Sequence, residues 1–230
     1  MNSSGFSRKI PAPHSGTQAI RFPTCFLLPA AATAALLLVT SCAEAPKPAA
    51  ETKAEAPATP AQPVTAKTAF WDLYKSAHGW AKDQVALTLE SRSIAGFKNE
   101  EGKAAEWVAI FGSPSLHQAA TLTYSVVAVP PDIPKGVSAG KAIPWAGPHR
   151  DALPFESSEF KIDSDEAYRT AFADAKAWLA KHPDEGDPSM SLGNASRFAG
   201  PVWSVLWGSR KTGYLVFVSA TTGKVLKPVK

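Results

Sequence analysis

The sequence predicts an α+β protein of two tandem repeats, each one helix packed on a short antiparallel sheet. Three observations predict it. Trp107–Ser113 reads W-V-A-I-F-G-S and Trp203–Ser209 reads W-S-V-L-W-G-S, so a Trp-opened apolar run twice ends in an aromatic and Gly-Ser. An apolar stripe of helical period precedes each run. The stripes also correspond: Phe70 and Tyr168 stand 98 residues apart, and the same shift carries Leu73, Tyr74, Ala77, Trp80 and Ala81 onto Ala171, Phe172, Ala175, Trp178 and Leu179. Trp107 and Trp203 stand 96 apart, a small drift of the kind that loop insertion produces. Each half would lay its helix stripe on one face of about three strands.

Residues 1–41 stand outside that pattern and read as a secretory signal. Arg8, Lys9 and Arg21 form a basic start, the apolar run Cys25–Val39 follows, and Thr40-Ser41-Cys42 ends it. The run is shorter than the ~20 residues of a membrane-spanning helix, and Pro29 interrupts it, which argues against the alternative of an uncleaved anchor. Val39-Thr40-Ser41-Cys42 resembles the lipobox of bacterial lipoproteins. The resemblance implies cleavage before Cys42, lipidation of its sulfur and acylation of the new amino terminus, and two or more chains anchor stably where one does not. It also implies the periplasmic face of the outer membrane, because Ala43 stands where an inner-membrane retention signal would carry Asp. Losing the signal takes three basic residues and no acidic one from the formal +4, leaving +1, so no nucleic-acid partner is expected. Cys25 leaves with the signal and Cys42 carries lipid, so no disulfide is expected.

Residues 42–66 form an Ala/Pro-rich tether, biased to extended polyproline by Pro46, Pro48, Pro57, Pro60 and Pro63. Residues 67–130 are the first repeat. Its helix stripe is followed by a strand at Val85–Ile94, a polar turn at Gly96–Lys103, strands at Ala104–Phe111 and Thr121–Val129, and a stop at Pro130-Pro131. Residues 131–162 read as a linker with one or two short strands. Residues 163–230 are the second repeat. Asp163 caps its helix, with Glu166 completing a capping-box pattern, and Pro183 ends it. Strands follow at Ser189–Phe198, Pro201–Trp207, Tyr214–Ala220 and Lys224–Leu226.

Over Asp163–Leu226 the chain resembles the PepSY family: Asp165-Glu166-Ala167 opens the helix, Trp203 opens a strand, and Tyr214–Ser219 leads into Ala220-Thr221-Thr222-Gly223. The family closes on Asp-Ala-x-Thr-Gly, and Ser219 stands here where that Asp would be. The resemblance implies a binding or inhibitory module rather than an enzyme.

The residues themselves supply no catalytic motif. His78, His117, His149 and His182 lack zinc-site spacing, and His182 suits a helix C-terminus. There is no Gly-x-Ser-x-Gly elbow, no phosphate-cradling glycine motif, and a lipidated Cys42 cannot act as a thiol nucleophile. Asp163-Ser164-Asp165-Glu166 lacks the calcium-loop pattern and reads as a helix cap, and Asp184–Asp187 reads as a solvated turn. No metal, cofactor or enzymatic activity is expected. Trp71 and Trp145 have no partner in the other repeat and are the candidate binding residues, Trp145 having the alternative of covering the core. Ala104–Phe111 and Tyr214–Val218 are apolar on both faces, so the second sheet face should meet the other repeat, a second copy or a partner. The expectation is a lipid-anchored, non-catalytic binding module at the cell envelope, engaging another envelope protein such as a protease. The alternative is a carrier holding a small apolar ligand between helix and sheet.

Overall fold

The computed structural model describes residues 61–227. The signal, Cys42 and most of the tether lie outside the described residues. Two helices, α1 (Ala66–Trp80) and α2 (Ser164–Leu179), accompany nine strands. Five strands precede α2: β1 (Val85–Arg92), β2 (Glu106–Ser113), β3 (Gln118–Ser125), β4 (Gly136–Ala139) and β5 (Ile143–Pro144). Four follow it: β6 (Ser189–Asn194), β7 (Pro201–Trp207), β8 (Tyr214–Ser219) and β9 (Val225–Leu226).

The tandem-repeat architecture is corrected by the sheet. All nine strands form one antiparallel sheet, ordered β4-β3-β2-β1-β6-β7-β8-β9 with β5 beside β3, and the fold is mostly β. The two short sheets of PepSY-like repeats are therefore not what this chain builds. The join explains why. β1 and β6 each have one neighbour within their own half, so each would otherwise present an open row of amides and carbonyls. They pair instead, Thr88, Leu89 and Glu90 facing Gly193, Leu192 and Ser191. Beyond Glu90, Ser91 Oγ extends the join by accepting from Met190 N (3.0 Å) and donating to Met190 O (3.3 Å). The far end is closed by the linker, where Leu153 N donates to Asn194 O and Phe155 N to Ala86 O.

One buried cluster takes side chains from both helices and from the sheet. α1 buries Phe70 and Leu73 among Ala66, Ala69 and Ala77, whereas α2 buries only Ser164, Ala167, Ala171 and Ala175. Phe172, on the expected stripe, is 42% exposed and stacks on Tyr168 at 5.8 Å, while the buried face of α2 is made of Ser164 and alanines. Trp107 and Trp203 meet edge to face at 6.3 Å in the middle of the core. Their indole N–H groups make the same contact, Trp107 Nε1 to Val64 O (3.0 Å) and Trp203 Nε1 to Ile162 O (2.9 Å), each carbonyl lying just before a helix. The indoles thus fill the core and fix where each helix begins. Among the described residues no helix is long and apolar enough to cross a membrane.

The two helix starts touch. Thr65 makes no cap bond of its own. The first amides of α1 are taken by α2's residues instead, Ala66 N by Ser164 Oγ and Lys67 N by Asp163 Oδ1, both at 2.9 Å. Asp163 Oδ1 also accepts from Ser164 N at 2.7 Å. The capping box expected from Glu166 does not form, and Glu166 N bonds Asp165 Oδ1. One carboxylate serves two helices because their orphan amides converge on it.

The two Gly-Ser pairs work by hydroxyl capping. Ser209 Oγ accepts from Lys211 N and Thr212 N in the β7–β8 hairpin, and Ser113 Oγ accepts from Leu116 N in the β2–β3 hairpin. Ser113 Oγ also donates to Asp83 Oδ1 (2.7 Å), whose other oxygen accepts from Ser115 N (2.7 Å). The Ser113 hydroxyl, then the Ser115 amide, hold the Asp83 carboxyl below its ordinary value. A depressed carboxyl adds stability above its unfolded pKa and loses it as pH falls through the folded value. Wild type should therefore exceed Asp83→Asn in urea midpoint at neutral pH, and the margin should close on acidification below the usual aspartate range. Parallel pH profiles for the two proteins would contradict this.

Candidate functional site: the open face of the sheet

Both helices cover the same side of the sheet, so strand alternation decides what the other side presents. In β7, Trp203, Val205 and Trp207 are buried, which turns Ser204 and Leu206 outward. In β8, Val216 and Val218 are buried, which turns Leu215 and Phe217 outward. In β6, Met190 and Leu192 are buried, leaving Ser189 and Ser191 on the open side. Register then aligns Glu90, Ser191, Ser204 and Phe217 in one row across four strands, and Ser189, Leu206 and Leu215 in the next.

These rows floor a trough of about 420 Å³. A second lobe of about 200 Å³ continues it past Thr88, Gly193 and Val202 towards Asp151. Arg197 and Arg210 border both lobes. Arg197 lies in the β6–β7 loop and Arg210 in the β7–β8 hairpin, at opposite ends of β7, so the side chains reach over the strand from both directions. The Arg197 guanidinium sits 5.2 Å from the Phe198 ring centre and 5.7 Å from that of Phe217, and those two rings are 4.9 Å apart. The ion pairs among the described residues include neither arginine. Glu90 is taken by Arg92 at 3.4 Å. Arg92 stands opposite Glu106, whose carboxyl is raised by burial against the opposing pull of Arg92.

The expected site residues lie elsewhere. Cys42 is outside the described residues. Trp71 is on α1, 44% exposed, with its ring edge-on to Phe70 and Tyr74 at 5.7 and 5.8 Å. Trp145 is half-buried, its backbone N–H donating to His117 O (2.9 Å) and its ring lying on Gly112, where a Cβ would stand 2.8 Å from ring carbons. Gly112 is thus a glycine because an indole occupies its side-chain space. Neither Trp lines the trough, and the structure does not bring the two together. Arg197 and Arg210 were missed because isolated loop arginines carry no period. The legible signal was the S-M-S-L of β6, polar and apolar in alternation.

The space between helices and sheet is filled by Phe70, Phe111, Phe155, Phe160, Trp107 and Trp203, with ring centres 5.4 to 6.3 Å apart. No observation there favours an apolar cargo. His182 stacks on Trp178 at 4.0 Å, with Nδ1 2.9 Å from the Trp178 carbonyl, at the end of α2. Among the described residues no three His, Cys, Asp or Glu side chains stand together as a metal site.

Fold and trough define a mainly β protein with one open, arginine-flanked sheet face. No known family and no curated protein matches the chain. A similar solved structure is that of a "putative lipoprotein" from Clostridium difficile 630, 13% identical, covering 69% of this chain and 90% of that one with a TM-score of 0.45.

Proposed function

We propose that this protein is an exported, lipid-anchored, non-catalytic binding module of the cell envelope, which engages another envelope protein through the open sheet face. The observation that carries the reading is that face: a trough across four strands, with Leu215 46% exposed and two arginines outside any described ion pair. Export and anchoring rest on the sequence alone, on the basic start, the apolar run and Val39–Cys42. Ala43 favours the periplasmic face of the outer membrane, and a protease is one such envelope partner.

Cross-linking in intact cells tests it. The full-length protein should give one dominant adduct in the membrane fraction. Leu215→Glu should abolish the adduct by replacing the exposed apolar side chain of the trough floor with a charged one, and Trp71→Ala should leave it intact. Absence of an adduct, or one indifferent to Leu215→Glu, overturns the reading.

A further inference from the structure

We propose that the trough binds an extended, carboxylate-bearing stretch of the partner polypeptide, with the carboxylate clamped between Arg197 and Arg210. The inference rests on the binding-module reading and names the chemistry of the bound segment. A guanidinium matches a carboxylate with two parallel N–H donors, so two arginines outside any described ion pair and bordering the same trough form a strong donor site for a carboxylate. Arg197 is already held against Phe198 and Phe217, which reduces the ordering cost of binding. The competing carboxylates are accounted for. Glu90 is engaged by Arg92, and Asp151 lines only the smaller lobe, so the anion belongs in the larger one.

The floor selects a polypeptide. Ser204 and Phe217 lie in one row and Leu206 and Leu215 in the next, two residues along each strand, a spacing of roughly 6.6 Å. An extended chain alternating acidic and apolar side chains has that same repeat. An acyl chain would require a continuous apolar slot, and the serines interrupt this one.

The test uses full-length protein in neutral detergent and fluorescent blocked peptides, Leu-Asp-Leu-Glu-Leu and its amide counterpart Leu-Asn-Leu-Gln-Leu, read by anisotropy. The acidic peptide should bind at least about tenfold more tightly than the amide, and more weakly as salt rises. Arg197→Gln and Arg210→Gln should each weaken it by about tenfold with urea midpoints unchanged, while Asp151→Asn should not weaken it. Equal binding of the two peptides, no binding, or indifference to both arginine variants overturns the proposal. So does preferential binding of phosphatidylglycerol vesicles, which would make the face a lipid site. If the cellular adduct survives the double arginine variant, the binding-module reading stands and this inference falls. If wild type gives no adduct, that reading itself falls.

Discussion

Trp203→Ala is expected to lower the unfolding free energy by about 3–5 kcal/mol, the range for deleting a fully buried aromatic ring. Trp203 has no exposed surface, and its ring meets Trp107 at 6.3 Å and Phe160 at 5.7 Å, so truncation opens a cavity where the two halves share their core. It also strips the Ile162 carbonyl of the indole N–H at 2.9 Å, leaving an acceptor at the entrance to α2. Against a typical domain stability of about 5–15 kcal/mol, the loss takes a large share. Trp203→Phe keeps most of the volume and loses the hydrogen bond, so it should cost less, about 1–3 kcal/mol. Urea midpoints rank the variants, with Trp71→Ala as the surface reference at under about 1 kcal/mol. Equal costs for Trp203→Ala and Trp71→Ala would contradict the placement of Trp203 at the centre of the core.

The sequence was informative where structure is local. The 3.6-residue stripes located both helices, and β7 falls on Pro201–Trp207 as the Trp-opened run indicated, because a stripe or an alternation is a property of neighbours in the chain. The Trp107 and Trp203 correspondence was also real as a local device, since each indole bonds the carbonyl before its helix. The step from that correspondence to two tandem helix-on-sheet repeats failed. Whether β1 pairs with β6 depends on about a hundred residues of intervening chain and on two strands each needing a second neighbour, and no local pattern encodes that. The strands apolar on both faces correctly raised the question of a second face. Among the described residues that face is a trough, with serines of β6 and β7 on its floor. Asp163 shows the same limit. Its spacing to Glu166 suggested a cap for one helix, while the fold brings it Lys67 N, 96 positions away.

That junction carries the second large expected effect, at Gly102. Gly102 and Gly96 both have φ of +82°, a conformation that costs an L side chain about 1–2 kcal/mol. They differ in their surroundings. A Cβ at Gly96 meets nothing within 4 Å, whereas one at Gly102 runs into the Ser164 carbonyl oxygen and stands 2.8 Å from Asp165 Cα. These are backbone atoms in the first turn of α2, fixed in place because buried Ser164 is bonded to Ala66 N of α1. The clash cannot be relieved by a side-chain rotation. It must push the 96–103 turn away from the joined helix starts, adding about 1–3 kcal/mol of overpacking to the backbone cost. Gly102→Ala should therefore destabilise by roughly 2–5 kcal/mol and Gly96→Ala by only about 1–2 kcal/mol. The difference between the two urea midpoints isolates the packing of the turn on α2 from the strain common to both positions. Equal midpoints would mean that α2 yields to the turn, and then Ser164 and Asp163 do not hold the helix starts rigidly together.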